Sequence, residues 1–267
     1  MKITRSYPLI IAHRGSSAAA PENTFAAFGK ALDDGAEGIE FDVRLAGDGV
    51  PVVFHDSDLK RICGIDRKVS DLSSKELKKL DAGTWFNEKN RKIASAEYSK
   101  EGIPNLEETL EFLSGYKGVI YVELKARENN VEALSKTVSR IVKDSHLQDR
   151  IIIKSFKLQA IPFLRKHAPG TATAALFAPK VMNILRKEKR LINIAHDLGV
   201  DRISVHFSLA TGKLMKKAVS SGLPVTIWTA DNPRWVNRAI QLGIDHVITN
   251  SPGKLLRHRD TVLAGTA

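Results

Sequence analysis

Short apolar runs rich in Val and Ile alternate with longer stretches of helical period from one end of the chain to the other. Residues 8–13, 38–43, 119–124, 150–155, 172–177, 202–206, 224–228 and 245–249 predict eight strands. Between most of them lies one helical pattern. In residues 131–142, for example, Val131, Leu134, Val138, Ile141 and Val142 fall on one stripe. Asn105 with Glu108 three residues on predicts a capped helix start, the helix running through Leu113. Strand–helix alternation of this kind builds a parallel sheet with helical crossovers. Eight such units in about 250 residues predict a closed (β/α)₈ barrel, a TIM barrel, as one domain over residues 1–267. An open doubly wound sheet is the competing architecture, but the first strand is not followed by the glycine fingerprint of a dinucleotide site.

One stretch breaks the rhythm. After a short extra strand at 52–54, residues 57–103 are polar, lysine-rich and without a long apolar period. They predict an insertion over one end of the barrel, either a functional lid or a passive excursion. Its apolar residues Ile62, Leu72, Leu77, Leu80, Trp85 and Phe86 would form a groove beside the mouth or, as the pattern favours, a small core of the insertion's own.

Composition narrows the class. The chain is 43% hydrophobic and 27% charged, ordinary for a globular protein and unlike a disordered or fibrous one. No apolar run near the start is long enough for a signal peptide or a membrane span, so a cytoplasmic protein without stable membrane insertion is expected. The single cysteine, Cys63, agrees with a reducing compartment. The net charge of +11 draws anions: nucleic acid, anionic lipid and small phosphate compounds are all admitted. With one cysteine no zinc-finger spacing exists, and no aromatic-rich RNA-binding signature is present, so no nucleic-acid partner is expected. The most basic local stretch, residues 180–190, reads as a solvated helix face.

Active sites of such barrels gather at the carboxyl ends of the strands. Those ends carry His13-Arg14, Glu40-Phe41-Asp42, His55-Asp56 and Glu123-Leu124-Lys125. Alternation turns Glu40 and Asp42 to one face. Three carboxylates in a partly dry mouth repel unless a cation sits among them, and hard oxygen ligands select Mg²⁺ or Ca²⁺. The alternative is a metal-free network in which Arg14 and Lys125 neutralise the acids. With Glu123 and both histidines nearby, one divalent cation is the favoured reading. A dication, a guanidinium and an ammonium around one spot suit a phosphate ester. His13 and His55 are placed to move protons. His146, His167, His196, His206, His246 and His258 receive no role.

These residues resemble the glycerophosphodiester phosphodiesterases. The likeness rests on Ala12-His13-Arg14-Gly15, Pro21-Glu22-Asn23-Thr24, Glu40-Phe41-Asp42-Val43, Val53-Phe54-His55-Asp56 and Val122-Glu123-Leu124-Lys125, in that order. It continues through Ser155-Phe156, Ile227-Trp228-Thr229 and residues 248–252. The resemblance implies a (β/α)₈ barrel with an insertion after the His-Asp motif. It implies a divalent cation on Glu40, Asp42 and Glu123, with His13 and His55 as the acid–base pair. It implies a small glycerophosphodiester substrate, such as glycerophosphocholine or glycerophosphoethanolamine, cut to glycerol 3-phosphate and an alcohol. Arg14 and Lys125 are then phosphate ligands, and Trp228 is either an aromatic beside the glycerol or a barrel-core ring. Glu22 lies at the edge of the site, ordering the first loop, and Asn23 is expected to cap the next helix. Asp231 stands where the family often has asparagine, and Asn250 where it often has aspartate. Both are expected to bear on substrate contacts or loop order, outside the metal–histidine set. A lysophospholipase D acting on single-chain lipids keeps the chemistry and changes the substrate. The identity of the metal, the head group and the oligomeric state are left open by the sequence.

Overall fold

A computed structural model describes residues 7–181 and 188–265. Nine strands form one sheet: β1 (Leu9–His13), β2 (Gly38–Leu45), β3 (Pro51–Val53), β4 (Val119–Leu124), β5 (Ile151–Ser155), β6 (Ala172–Phe177), β7 (Arg202–His206), β8 (Val225–Trp228) and β9 (His246–Thr249). Eight of them pair in parallel, and β1 meets both β2 and β9, so the sheet closes on itself as a barrel. The ninth, β3, runs antiparallel along β2, matching Val43 with Val53 and Leu45 with Pro51. That pairing carries β2 two residues past the end its apolar pattern predicts. It also sets the extra strand at Pro51–Val53, one residue earlier than expected.

Helices follow the barrel strands: α1 (Phe25–Asp33), α2 (Leu106–Phe112), α3 (Val131–Asp144), α4 (Ala160–His167), α5 (Glu188–Asp197), α6 (Gly212–Ser220), α7 (Arg234–Leu242) and α8 (Pro252–Ala264). The stripe read in α3 is buried in full, from Val131 to Val142. Each such side chain contributes roughly 1.5–3 kcal/mol, so packing on the sheet rather than helix propensity holds the helix. Helix α2 begins with the expected reciprocal cap between Asn105 and Glu108. Outward strand residues join the helices in one large apolar cluster. Inward residues Ile11, Tyr121, Ile152, Ala174 and Ile248 fill the barrel's middle. Gly38 belongs to this crowding, since a Cβ there would stand 2.4 Å from Ile11 Cδ1. The filled interior leaves polar chemistry only at the ends.

Between β3 and α2 the chain makes short helices at Lys60–Cys63, Ser74–Leu77 and Thr84–Lys89. Ile62, Leu72, Leu77, Leu80 and Trp85 pack together in one apolar cluster, and Phe86 is buried against Tyr98 at 5.6 Å. These six side chains therefore make a core rather than a lipid groove. Tyr98 Oη donates to the Ala19 carbonyl at 3.1 Å, which seats this segment against the β1–α1 loop. Among the described residues, no helix is long and apolar enough to cross a membrane. The basic stretch 180–190 falls partly outside the described residues; at its ends Lys180, Lys189 and Arg190 are exposed.

Candidate active site

Register assembles the site. Parallel pairing sets His13 beside Glu40, Asp42 beside Glu123, and Glu123 beside Lys154. Four neighbouring strands thus deliver charged side chains to one level of the mouth. Glu40, Asp42 and Glu123 are all buried, and a carboxylate oxygen from each lies within 4.8 Å of the others.

Such a cluster of like charges needs counter-charge. Three side chains supply it. Lys154 Nζ lies 2.8 Å from Glu40 Oε1 and 3.4 Å from Glu123 Oε2. Lys125 Nζ lies 3.0 Å from Asp42 Oδ1 and is hydrogen-bonded to Glu123. Arg14 Nε lies 2.9 Å from Asp42 Oδ2, and its terminal nitrogen donates to Glu22 at 2.8 Å. Burial pushes the Glu40 carboxyl up, but Lys154 and His13 hold it below the ordinary value. Burial likewise works against Asp42, yet Lys125, Arg14 and the two imidazoles keep it well below the usual range. Lys125 and Lys154 are raised in turn, the acids outweighing the burial that lowers them.

Lys154 is absent from the sequence reading. It is 1% exposed. Its sign was a single cation near the carboxyl end of the apolar strand Ile151–Ser155, two residues past the inward-facing Ile152. With Lys154, Lys125 and Arg14 in place, repulsion among the acids is already relieved. It does not by itself demand a dication.

The two histidines stand around the same carboxylate, each contributing to the field on Asp42. His13 Nε2 is 3.9 Å from Glu40 Oε2, and its Nδ1 meets Asn250 Oδ1 at 2.7 Å. Burial pushes the His13 ring below its ordinary pKa, against the upward pull of Glu40. His55 Nδ1 donates to Asp56 Oδ1 at 2.6 Å, and Arg44 holds the His55 carbonyl at 2.6 Å. Arg61 Nε bonds Asp56 Oδ2 at 2.6 Å, while its terminal nitrogens reach Glu22 at 2.7 and 3.1 Å. A chain of charge therefore runs from Asp42 through Arg14, Glu22 and Arg61 to Asp56 and His55.

Two expectations change here. Asn23 does not cap α1; Thr24 does, accepting from Ala27 N. Asn23 is buried with φ of 60°, donating to Asp42 Oδ2 at 3.0 Å and accepting from Asp42 N at 3.3 Å. It turns inward because Arg14 (φ 55°) and Gly15 (φ 79°) twist the β1–α1 loop back over the mouth. A Cβ on Gly15 would sit 2.5 Å from Ala27 backbone atoms, so only glycine fits. Asp231 and Asn250 do not lie outside the histidine set, since Asn250 is the Nδ1 partner of His13 and Asp231 accepts from Asn250. That contact joins residues 237 apart in the chain, out of reach of any local motif.

Trp228 ends β8 half-buried, edge-on to Phe156 and His206 at 5.3 Å each. Its indole N–H is buried without a partner among the described residues. Beside Lys125 opens a cavity of about 440 Å³ lined by Arg44, Arg127, Lys157 and Phe156. Burial and the neighbouring Arg127 push the Arg44 guanidinium below its ordinary value.

The donor set suits a hard dication: three buried carboxylates, oxygen only, no thiol and no imidazole among them. Among the described residues, Glu40 Oε1 and Asp42 Oδ1 are each met by a single ammonium, from Lys154 and Lys125, so each keeps a lone pair to give.

A sequence model of the glycerophosphoryl diester phosphodiesterase family matches residues 13–254. A glycerophosphodiester phosphodiesterase of Caldanaerobacter subterraneus is 31% identical over 251 residues, spanning 93% of this chain and 96% of that one. An Oleispira antarctica phosphodiesterase, solved in complex with the product sn-glycerol-3-phosphate, superposes with a TM-score of 0.83. It is 30% identical, over 95% of this chain and 97% of its own. A glycerophosphodiester phosphodiesterase of Thermotoga maritima superposes at 0.73 with 27% identity, over 94% and 98%.

Replacing Lys154 tests the charge balance. Lys154→Met leaves two buried acids short of a partner and should cost about 3–5 kcal/mol at pH 7, read by urea denaturation. Glu40 has a depressed folded pKa, so its contribution is present above the unfolded value of about 4.3 and fades as pH falls through the folded one. The gap between variant and wild type should therefore narrow below about pH 4. Equal stability at neutral pH contradicts the scheme.

Proposed function

The chain belongs to the glycerophosphoryl diester phosphodiesterase family and is a glycerophosphodiester phosphodiesterase, and from that premise we propose how its own residues cut the diester. The observation that carries the reading is one mouth holding a buried acid cluster, its paired cations and two histidines. Each histidine is anchored at Nδ1, and among the described residues its Nε2 is free of a hydrogen bond.

His13 is the general base and His55 the general acid. His13 has a neutral amide behind it and a ring that burial keeps uncharged. It takes the proton of the attacking oxygen, whether water's or the glycerol hydroxyl's. His55, its other ring proton held by Asp56, gives a proton to the departing alcohol. Each transfer supplies about 10²–10⁴ in rate. Arg14 and Lys125 hold the phosphoryl oxygens, their second bonds to Glu22, Asp42 and Glu123 keeping both heads in place. Trp228 offers its unpaired indole N–H and ring edge to the glycerol. Glu22 holds Arg14 and Arg61 together.

Glu40, Asp42 and Glu123 would hold one Mg²⁺ or Ca²⁺, which supplies Lewis-acid stabilisation of the charge that grows on the phosphoryl oxygens. The charge count supports it. Three acids and three cations are balanced before substrate arrives. A diester carries one negative charge and gains a second near the transition state, which the extra two positive charges match.

The substrate class is a small glycerophosphodiester in the cytoplasm, glycerophosphocholine and glycerophosphoethanolamine included. No nucleic-acid partner and no membrane insertion enter this reading. The insertion's apolar residues are spent on their own core, so they supply no groove for a single-chain lipid. The cavity beside Lys125 favours an uncharged or anionic alcohol over choline, because Arg44, Lys125, Arg127 and Lys157 line it.

His13→Ala and His55→Ala should each fold and lose about 10²–10⁴ in kcat in a coupled glycerol 3-phosphate assay; a variant at the wild-type rate removes that residue from the scheme. Stripping with EDTA should abolish turnover, and Mg²⁺ or Ca²⁺ should restore it; full activity in stripped protein removes the dication. Across a head-group panel, kcat/KM for glycerophosphoglycerol should exceed that for glycerophosphocholine by roughly tenfold, the ratio that about 1.4 kcal/mol of repulsion produces. Lysophosphatidylcholine should be the poorest of the three, and its being the best would restore the lipid reading.

A further inference from the structure

We infer that Asp231 is a positioning residue: through the amide of Asn250 it dictates which nitrogen of His13 carries the proton. The inference rests on the reading of His13 as general base and goes beyond it, to a residue whose hydrogen bonds go to Thr249 and Asn250.

Asp231 Oδ1 accepts from Thr249 Oγ1 at 2.8 Å and from Asn250 N at 2.7 Å, while its Oδ2 meets Asn250 Nδ2 at 2.8 Å. Thr249 Oγ1 itself accepts from Ser251 N at 3.2 Å, so its hydroxyl proton is directed to Asp231. A carboxylate only accepts. Asn250 must therefore turn its NH₂ to Asp231 and its Oδ1 to the other side. On that side stand His13 Nδ1 at 2.7 Å and Ser17 Oγ at 2.9 Å. The hydroxyl accommodates either orientation; the ring does not. Facing a carbonyl oxygen, Nδ1 must be the N–H, which leaves the Nε2 lone pair toward the mouth. A base needs that tautomer, and the wrong one costs hydrolases up to about 10⁴ in turnover.

The relay can be inverted without changing its size. In Asp231→Asn, the side-chain oxygen is retained by Thr249 and by the backbone N–H of Asn250, which cannot turn away. The new NH₂ then faces Asn250, whose amide flips and presents its own NH₂ to His13. Nδ1 must now accept, and the proton moves to Nε2. Adding Asn250→Asp restores an acceptor: the carboxylate introduced at position 250 takes one bond from the new amide and one from His13 Nδ1–H.

The test uses ¹⁵N-histidine-labelled full-length protein without added metal. Long-range ¹H–¹⁵N spectra are recorded about two pH units above the ordinary imidazole pKa of about 6.5, with His13 assigned by the loss of its signals in His13→Gln. Wild type should show the Nδ1–H ring, D231N the Nε2–H ring, and D231N/N250D the Nδ1–H ring again. In the metal-supplied enzyme, kcat should fall about 10²–10⁴-fold in D231N with KM little changed, and most of the loss should be recovered in the double variant. An Nδ1–H ring in D231N overturns the inference. If D231N does not fold, the double variant decides, since an Nε2–H ring there overturns it equally. A ring that inverts in D231N while kcat holds refutes Asp231 as a positioning residue for catalysis and, separately from the tautomer itself, removes His13 as base.

Discussion

Three carboxylates brought together in the dry mouth of a barrel must be neutralised, and the rest of the site follows from how that is done. Lys154 rises from the strand next to Glu123 and joins it to Glu40; Lys125 joins Glu123 to Asp42; Arg14 closes on Asp42 from the first loop. Buried pairs of this sort add little net stability, because desolvation offsets attraction, but losing one partner is costly. Their value here is geometric. Each cation is tied to at least two acceptors, so its position is settled before any phosphate arrives, and preorganised charge of that kind is where hydrolytic sites gain most.

The same rule of two anchors extends to the histidines. His55 is fixed by Asp56, itself bound to Arg61 from the segment between β3 and α2. That segment reaches the chemistry through the Arg61 guanidinium. His13 is fixed from the opposite end of the chain, by the turn after β9. The left-handed backbone at Arg14 and Asn23 is the strain this arrangement carries, and Gly15 is what lets the loop pass Ala27.

What was legible in the sequence follows from range. The pattern sets strand bounds to within one or two residues, because Val- and Ile-rich runs between helical periods leave few alternatives; β2 runs on because its partner β3 lies outside the barrel pattern. The acids and the two histidines are legible because the apolar pattern sets each toward or just past the carboxyl end of a strand. Lys154 is not, since a lysine in an otherwise apolar strand reads as an interruption until register sets it against Glu123. Asn23 fits the pattern of a helix cap, and only a positive φ turns it to Asp42. Asn250 and Asp231 belong to loops after different strands, and the barrel's closure alone brings them to His13.

The central claim, that this cluster is where a dication and the phosphate meet between two imidazoles, is tested most directly by a crystal structure of the protein soaked with Mn²⁺ and glycerol 3-phosphate. The account predicts an anomalous peak bounded by Glu40, Asp42 and Glu123, with the phosphate against Arg14 and Lys125 and within reach of His13 Nε2 and His55 Nε2. A phosphate bound elsewhere, or a cluster that binds it with Lys125 and Lys154 in place and no metal peak, would contradict it.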